Sequence, residues 1–244
     1  MGEFHKQFHV PKEDISIVAL SPDQLHRLIY DQDIEYKLPD DLKVIKDIFV
    51  FGCTVALRFS DLADLRPFNW RVDHGNHYLE VVSQKTGTAT RIKLPDYAVA
   101  ILKKYKRKCK TLLPMCSNAY FNKQLKVLVQ HVLDTEAPTK TRTRRGRQVA
   151  LKKMEGQSQI YRFADHITSH TMRRTGITNL LRMGVPEHVV RKISGHSAQS
   201  KEFHKYVSFS QKYLDEEIEK AYEKFSHEQF RVEKKPIFEI NSVA

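Results

Sequence analysis

Apolar residues recur every three to four positions through most of this chain and alternate every two in one central stretch. Ser21-Pro22-Asp23 predicts a first helix, with Ser21 as N-cap and Pro22 in the first turn. Leu42, Ile45, Ile48 and Phe49 keep helical spacing behind Pro39-Asp40-Asp41, which predicts a second. A short helix over Ser60–Leu65 stops before Pro67. Then the texture changes. Asn69–Val72, His77–Val82 and Ala89–Leu94 predict three strands, with a turn at Asp73–Asn76 and a hairpin tip at Lys85-Thr86-Gly87. Helices resume over Tyr97–Tyr105 and about Asn118–Leu133, and the segment 139–153 around Arg145-Gly146-Arg147 reads as a flexible hairpin. A helix from Ser169 ends at Gly184, and another runs from Pro186 to near Ser194. Phe203–Val207 reads as strand-like. Beyond it, Leu214, Ile218, Ala221, Tyr222 and Phe225 form an apolar stripe on an acidic helix. The fold class that follows is α+β, mainly helical, with a small antiparallel β-sheet inserted among the helices.

Composition narrows the classes. With 244 residues, 41% of them hydrophobic, the chain can bury a sizeable core in one or two domains. The longest apolar run, Ile48–Leu57, is broken by Gly52, Cys53 and Thr54 and is too short to span a bilayer. The first eleven residues lack a signal-peptide core, and residues 1–20 read as a linker or an expression remnant. Cys53, Cys109 and Cys116 have no CxxC spacing, so neither a disulfide framework nor a zinc ribbon is expected, and a reducing compartment fits. Asp73, His74 and His77 come nearest to a metal-ligand spacing, and a polar turn explains them better.

Charge changes the picture. The net charge is +12. Residues 101–153 hold fifteen Lys and Arg against only Asp134 and Glu136, which accounts for the whole excess. One cluster spans Lys103–Lys110, and the other runs through Lys140, Arg142, Arg144, Arg145 and Arg147 to Lys153. Such a stripe suits phosphate neutralisation with counterion release. Charge alone leaves DNA, RNA and other polyanions open.

The candidate chemistry lies near the C-terminus. His170 and Arg173 share one helix face in a first turn, where the positive helix pole also favours a phosphate. His196 follows the next helix and Tyr206 comes ten residues later. Each residue alone has an ordinary surface or packing explanation. Together they occupy one 37-residue window, separated by two helices that can bring them together.

The runs Ser169-His170-Thr171-Met172-Arg173-Arg174-Thr175, Ser194-Gly195-His196-Ser197 and Tyr206-Val207 resemble the C-terminal signature of the tyrosine recombinases, the phage-integrase-type DNA recombinases. The wording is closest to integrases of Bacteroides-type mobile elements. Val55-Ala56-Leu57-Arg58-Phe59-Ser60-Asp61 resembles the family's first arginine with its acid three residues on. Gln84-Lys85-Thr86-Gly87 resembles its hairpin lysine. One departure is Val55-Ala56-Leu57 where the family often has Thr-Gly-Leu.

The resemblance implies a tyrosine-recombinase-like catalytic domain over residues 21–207, with a C-terminal helix and tail over 208–244. The family's N-terminal core-binding domain is expected to be absent, since residues 1–20 leave no room for it. It implies that Tyr206 attacks a phosphodiester of double-stranded DNA, giving a 3′-phosphotyrosyl link with no cofactor, metal or ATP. Arg58 and Arg173 would clamp the phosphate, His196 would add a hydrogen bond to it, and His170 would help remove the tyrosine proton. Lys85 would protonate the leaving 5′ oxygen, and Asp61 would orient Arg58 or a neighbouring helix. Arg142, Arg144, Arg145 and Arg147 would contact DNA. The protein is expected to be monomeric when free, tetrameric on synapsed DNA, and cytoplasmic with the nucleoid. A type IB topoisomerase is a variant with the same chemistry. The competing class is a noncatalytic helix-turn-helix-like DNA-binding module, because 170–195 reads as two helices with a glycine turn.

Overall fold

The computed structural model describes residues 18–84, 87–133, 141–144, 147–150, 153, 160–197 and 199–227. The helix α1 (Pro22–Tyr30) starts at Ser21, whose hydroxyl accepts from the Gln24 amide while the Gln24 side chain accepts from the Ser21 amide. A short α2 (Gln32–Lys37) follows, and then α3 (Asp40–Val55). From Ile45 to Cys53 every residue of α3 is buried. A helix apolar on all sides belongs in the centre of a domain. Around α3 pack α5 (Asp96–Tyr105), α6 (Asn118–Val132) and α8 (Ser169–Arg182). The run carries two charged residues, Lys46 and Asp47, 3.5 Å apart, and Asp47 also accepts from Tyr105 Oη and Lys104 Nζ, each at 2.7 Å, so its buried charge is matched.

α8 approaches α3 closely because glycines face the contact. Gly52 lies against Met172, and Gly176 lies against the Cys53 carbonyl and Ala56. A Cβ on Gly176 would overlap the Cys53 oxygen and come within 2.9 Å of Ala56 Cβ.

The three-stranded sheet is antiparallel, in the order β1 (Trp70–Asp73), β2 (Asn76–Val82), β3 (Ala89–Lys93). The tight β1–β2 turn uses positive φ at His74 and Gly75. Leu79, Val81 and Ile92 face the core, whereas Glu80 and Arg91 pair outside at 3.4 Å. A second hairpin pairs β4 (Thr141–Arg144) with β5 (Arg147–Ala150), setting Arg144 opposite Arg147.

After α7 (Phe163–His166) and α8, α9 (Glu187–Ser194) ends at Gly195 in the left-handed region. α10 (Lys201–His227) then runs for 27 residues. The strand-like reading of Phe203–Val207 is therefore wrong. Phe203, Tyr206, Val207 and Ser210 follow helical spacing, and three of them meet Ala56, Ile177, Leu181 and Val190 in a satellite apolar cluster. α10 is continuous through residues 207 and 208. The mainly helical fold with a small antiparallel sheet agrees with the sequence expectation. No helix among the described residues is long and apolar enough to cross a membrane.

Candidate active site

The first arginine sits where α3 ends. Ala56 caps α3 in the left-handed conformation, φ 53°, turning the chain so that Arg58 becomes the N-cap of α4 (Phe59–Ala63). Arg58 Nη1 donates to Ser83 Oγ at 3.1 Å and lies 3.9 Å from Asp61 Oδ2. Asp61, 4% exposed, accepts from Ser83 Oγ at 3.1 Å and from the Gln84 amide at 3.2 Å. Gln84 also donates through its side chain to Asp64. One buried carboxylate thus ties Arg58 to the base of the β2–β3 hairpin. The hairpin is closed by Ser83 N to the Thr88 carbonyl and Gly87 N to the Ser83 carbonyl.

The second arginine lies inside α8. Arg173 is 6% exposed, and its Nη1 donates to the Ala56 carbonyl at 3.0 Å. Its Nη2 is 3.3 Å from both ring nitrogens of His196. Burial, then the neighbouring Arg58 charge, pull the Arg173 pKa down to about 10, so it remains a cation at neutral pH. His196 follows Gly195, whose backbone turn returns the chain over α9. Burial, followed by the Arg173, Arg58 and Arg191 charges, lowers the His196 pKa to about 4, so the ring is neutral at pH 7. Ser194 Oγ lies 2.8 Å from His196 Nδ1.

Tyr206 is held by the first turns of α10. Phe203, fully buried, anchors that helix, and the Arg191 guanidinium stacks 4.0 Å over its ring. One turn further on, the half-buried Tyr206 ring packs edge-on to His196 with centroids 6.0 Å apart. Ser210 donates to the Tyr206 carbonyl at 2.8 Å.

Four of the six expected site residues therefore gather from four places in the chain: Arg58, Arg173, His196 and Tyr206. His170 sits in the first turn of α8, exposed, and makes no hydrogen bond among the described residues. Lys85 lies outside the described residues, although Gln84 and Gly87 flank it at the hairpin. Of the basic segment, Arg142, Arg144 and Arg147 occupy β4 and β5, and Arg145 lies outside the described residues. Of the competing candidates near Tyr206, His204 is exposed. Sequence reasoning missed Ser83 and Ser194. Ser83 stands just before the Gln84-Lys85-Thr86-Gly87 run, and Ser194 opens the Ser194-Gly195-His196-Ser197 run without having been given a role.

Two arginines, a neutral imidazole and a tyrosine thus lie together, and two cations side by side can attract an anion. The Phage integrase family pattern matches residues 20–212, and the chain belongs to this family, the tyrosine recombinases. The fold is shared with the XerH site-specific recombinase bound to palindromic difH substrate, at TM-score 0.57 and 13% identity over 83% of this chain and 52% of that one. It is shared with XerA recombinase, at TM-score 0.54 and 16% identity over 84% of this chain and 65% of that one. The Tn1549 transposon integrase in complex with circular intermediate DNA aligns at TM-score 0.52 and 15% identity, covering 81% and 62% of the two chains. This chain thus spans about half the length of the XerH chain, 52%. No curated protein matches it in sequence.

Proposed function

We propose that this chain carries the DNA breaking and rejoining centre of a site-specific recombinase serving a mobile element, of the kind the Bacteroides-type resemblance suggests. The observation that carries the reading is the meeting of Arg58, Arg173, His196 and Tyr206, brought together from the α3 end, α8, the α9 end and α10. The family membership supports it, since these residues stand in the matched segment.

In this reading Tyr206 oxygen attacks the phosphorus of a phosphodiester. The bond to the 5′ oxygen breaks, leaving a 3′-phosphotyrosyl link and a free 5′-hydroxyl. The link stores the bond energy, so rejoining needs no nucleotide cofactor. Arg58 and Arg173 hold the non-bridging oxygens as charge builds on them. Lys85, from the hairpin that Asp61 anchors, protonates the leaving oxygen. Residues 21–207 form the catalytic unit, to which the first turns of α10 contribute Tyr206. The partner is double-stranded DNA, bound by protomers that are monomeric when free and tetrameric on synapsed sites.

A nicked suicide DNA substrate tests this. The chain should form a denaturation-resistant protein–DNA adduct, and Tyr206→Phe should abolish the adduct while half-site binding stays within about twofold. An adduct that survives in Tyr206→Phe and vanishes in Tyr213→Phe would move the nucleophile. Binding with no adduct at all would favour the noncatalytic module.

A further inference from the structure

Arg191 stands outside every run that resembles the recombinase signature, yet it touches the supports of both His196 and Tyr206. It lies in the last turn of α9, and its side chain is 12% exposed. Its backbone carbonyl accepts from the His196 amide at 3.0 Å, across the left-handed turn at Gly195. Nη1 donates to the Ser197 carbonyl at 3.1 Å, and Nη2 pairs with Glu187 Oε2 at 3.5 Å. Those contacts use the edges of a planar group and leave its face free. That face lies on the Phe203 ring, with Cζ 4.0 Å from the ring centroid. Phe203 is fully buried, and its ring completes a triangle. Ring centroids are 5.3 Å apart for His196 and Phe203, 6.2 Å for Phe203 and Tyr206, and 6.0 Å for His196 and Tyr206. All three pairs meet edge-on, with ring planes at 63°, 78° and 61°. Residues 195–200 join α9 to α10 along the chain, and the turn that carries Tyr206 meets the end of α9 through Phe203 and Arg191.

We propose that Arg191 is a positioning residue: its guanidinium, held on the Ser197 carbonyl and stacked on Phe203, sets the approach of Tyr206 to His196 and to the two arginines of the site. This rests on the reading of Tyr206 as the nucleophile. Arg191 is not a phosphate contact in this role, because Nη1, Nη2 and the guanidinium face are all engaged within the protein. The Tyr206 oxygen must reach phosphorus in line with the leaving 5′ oxygen, and its ring moves with the first turns of α10. Misplacing a reacting group by about 1 Å can cost about 100-fold in rate. The Arg191 charge also reaches His196: burial, then Arg173, Arg58 and Arg191 in that order, lower the ring pKa to about 4. Charge and geometry make different demands on the side chain. Any cation supplies the charge. Only a planar fork can bond a carbonyl with its edge while its face covers a ring, and lysine has none.

Single-turnover cleavage of the nicked suicide substrate at saturating DNA, beside a half-site gel-shift titration, tests this. Arg191→Ala should slow adduct formation about 10- to 100-fold while half-site affinity stays within about twofold. An unchanged rate, or a loss of affinity as large as the loss of rate, would overturn the proposal. Arg191→Lys should stay at least about fivefold slower than the unaltered chain, because it keeps the charge without the fork. A lysine variant at full rate would show that charge alone matters. Phe203→Leu keeps an apolar side chain and removes the ring. The double variant Arg191→Ala, Phe203→Leu should then fall short of the product of the two single losses by about threefold or more. Losses that simply multiply would mean that Arg191 does not act through the ring. NMR of the free chain supplies a readout that needs no DNA. Proton contacts between the His196 and Tyr206 rings should weaken in Arg191→Ala, and unchanged contacts overturn the proposal whether or not Phe203→Leu folds. Absence of adduct in the unaltered chain would overturn the reading of function, whereas the ring contacts would still decide what Arg191 positions.

Discussion

Arg58 is useful only if its guanidinium is aimed, and a hydroxyl does the aiming. Ser83 accepts from Arg58 and donates to Asp61, so the serine proton and lone pair fix both neighbours at once. Direct Arg58–Asp61 contact is loose, at 3.9 Å. Without Ser83, Arg58 keeps its charge but loses a bond that orients it, and Asp61 loses one of its two anchors to the hairpin. A hydrogen bond to a charged group contributes about 1.5–3 kcal/mol. Ser83→Ala should therefore slow adduct formation by roughly 10- to 100-fold. Half-site affinity should hardly move if the phosphate contacts that set it lie in the basic segment, as proposed. Single-turnover cleavage beside a gel-shift titration separates the two, and a variant that loses both equally would mean that Ser83 merely supports the hairpin.

Elements show where sequence patterns succeed and where they mislead. The three strands, α3, α8 and α9 are legible because each carries a long enough period with a recognisable end, such as Gly184 or Gly195. Phe203–Val207 misleads because five residues do not distinguish period two from period 3.6. Only Ser210, one turn later and buried, completes the helical series. The candidate site residues are legible through motif resemblance, whereas Ser83 is not, because its value lies in what its hydroxyl touches across the fold. Gly176 is another such residue: in the sequence it weakens a helix, and in the structure it lets α8 reach α3. Gly176→Ala should destabilise the fold by about 1–3 kcal/mol, since backbone at Cys53 must give way. Urea unfolding checks this, and an unchanged midpoint would show that the two helices separate freely. The β4–β5 hairpin makes its own prediction. Neutralising Arg142, Arg144, Arg145 and Arg147 together should make the slope of log K against log salt shallower, by up to about 0.9 for each phosphate no longer neutralised. An unchanged slope would mean that this hairpin faces away from DNA.

At the scale of the whole molecule, α10 exposes apolar residues, among those described, that its own core does not cover. Ile218 and Tyr222, on the apolar stripe of α10, are 50% and 71% exposed, far beyond the satellite cluster that anchors the start of the helix. Asp215 and Glu219 on the same stretch would be repelled by DNA. This pattern agrees with docking onto a neighbouring protomer in the assembled complex. Deleting residues 212–244 should then weaken the synaptic complex at least about tenfold more than it weakens binding to one half-site, an energy difference of about 1.4 kcal/mol. Gel shifts at matched protein concentration measure both, and equal weakening would assign the segment to its own domain.

The buried Arg173, with Arg58 close enough to oppose its charge, gives the idle protein a locally frustrated centre. Two like charges, one at the start of α4 and one in α8, are held together against their own repulsion, and unfolding would relieve it. An anion that settled between them would act as a folding ligand, because it would bind the native chain and find no such site in the unfolded one. The working fold and the reaction share one driving force. If Arg58 and Arg173 hold a phosphate as proposed, the same cations that bind it would also link anion binding to the stability of the fold.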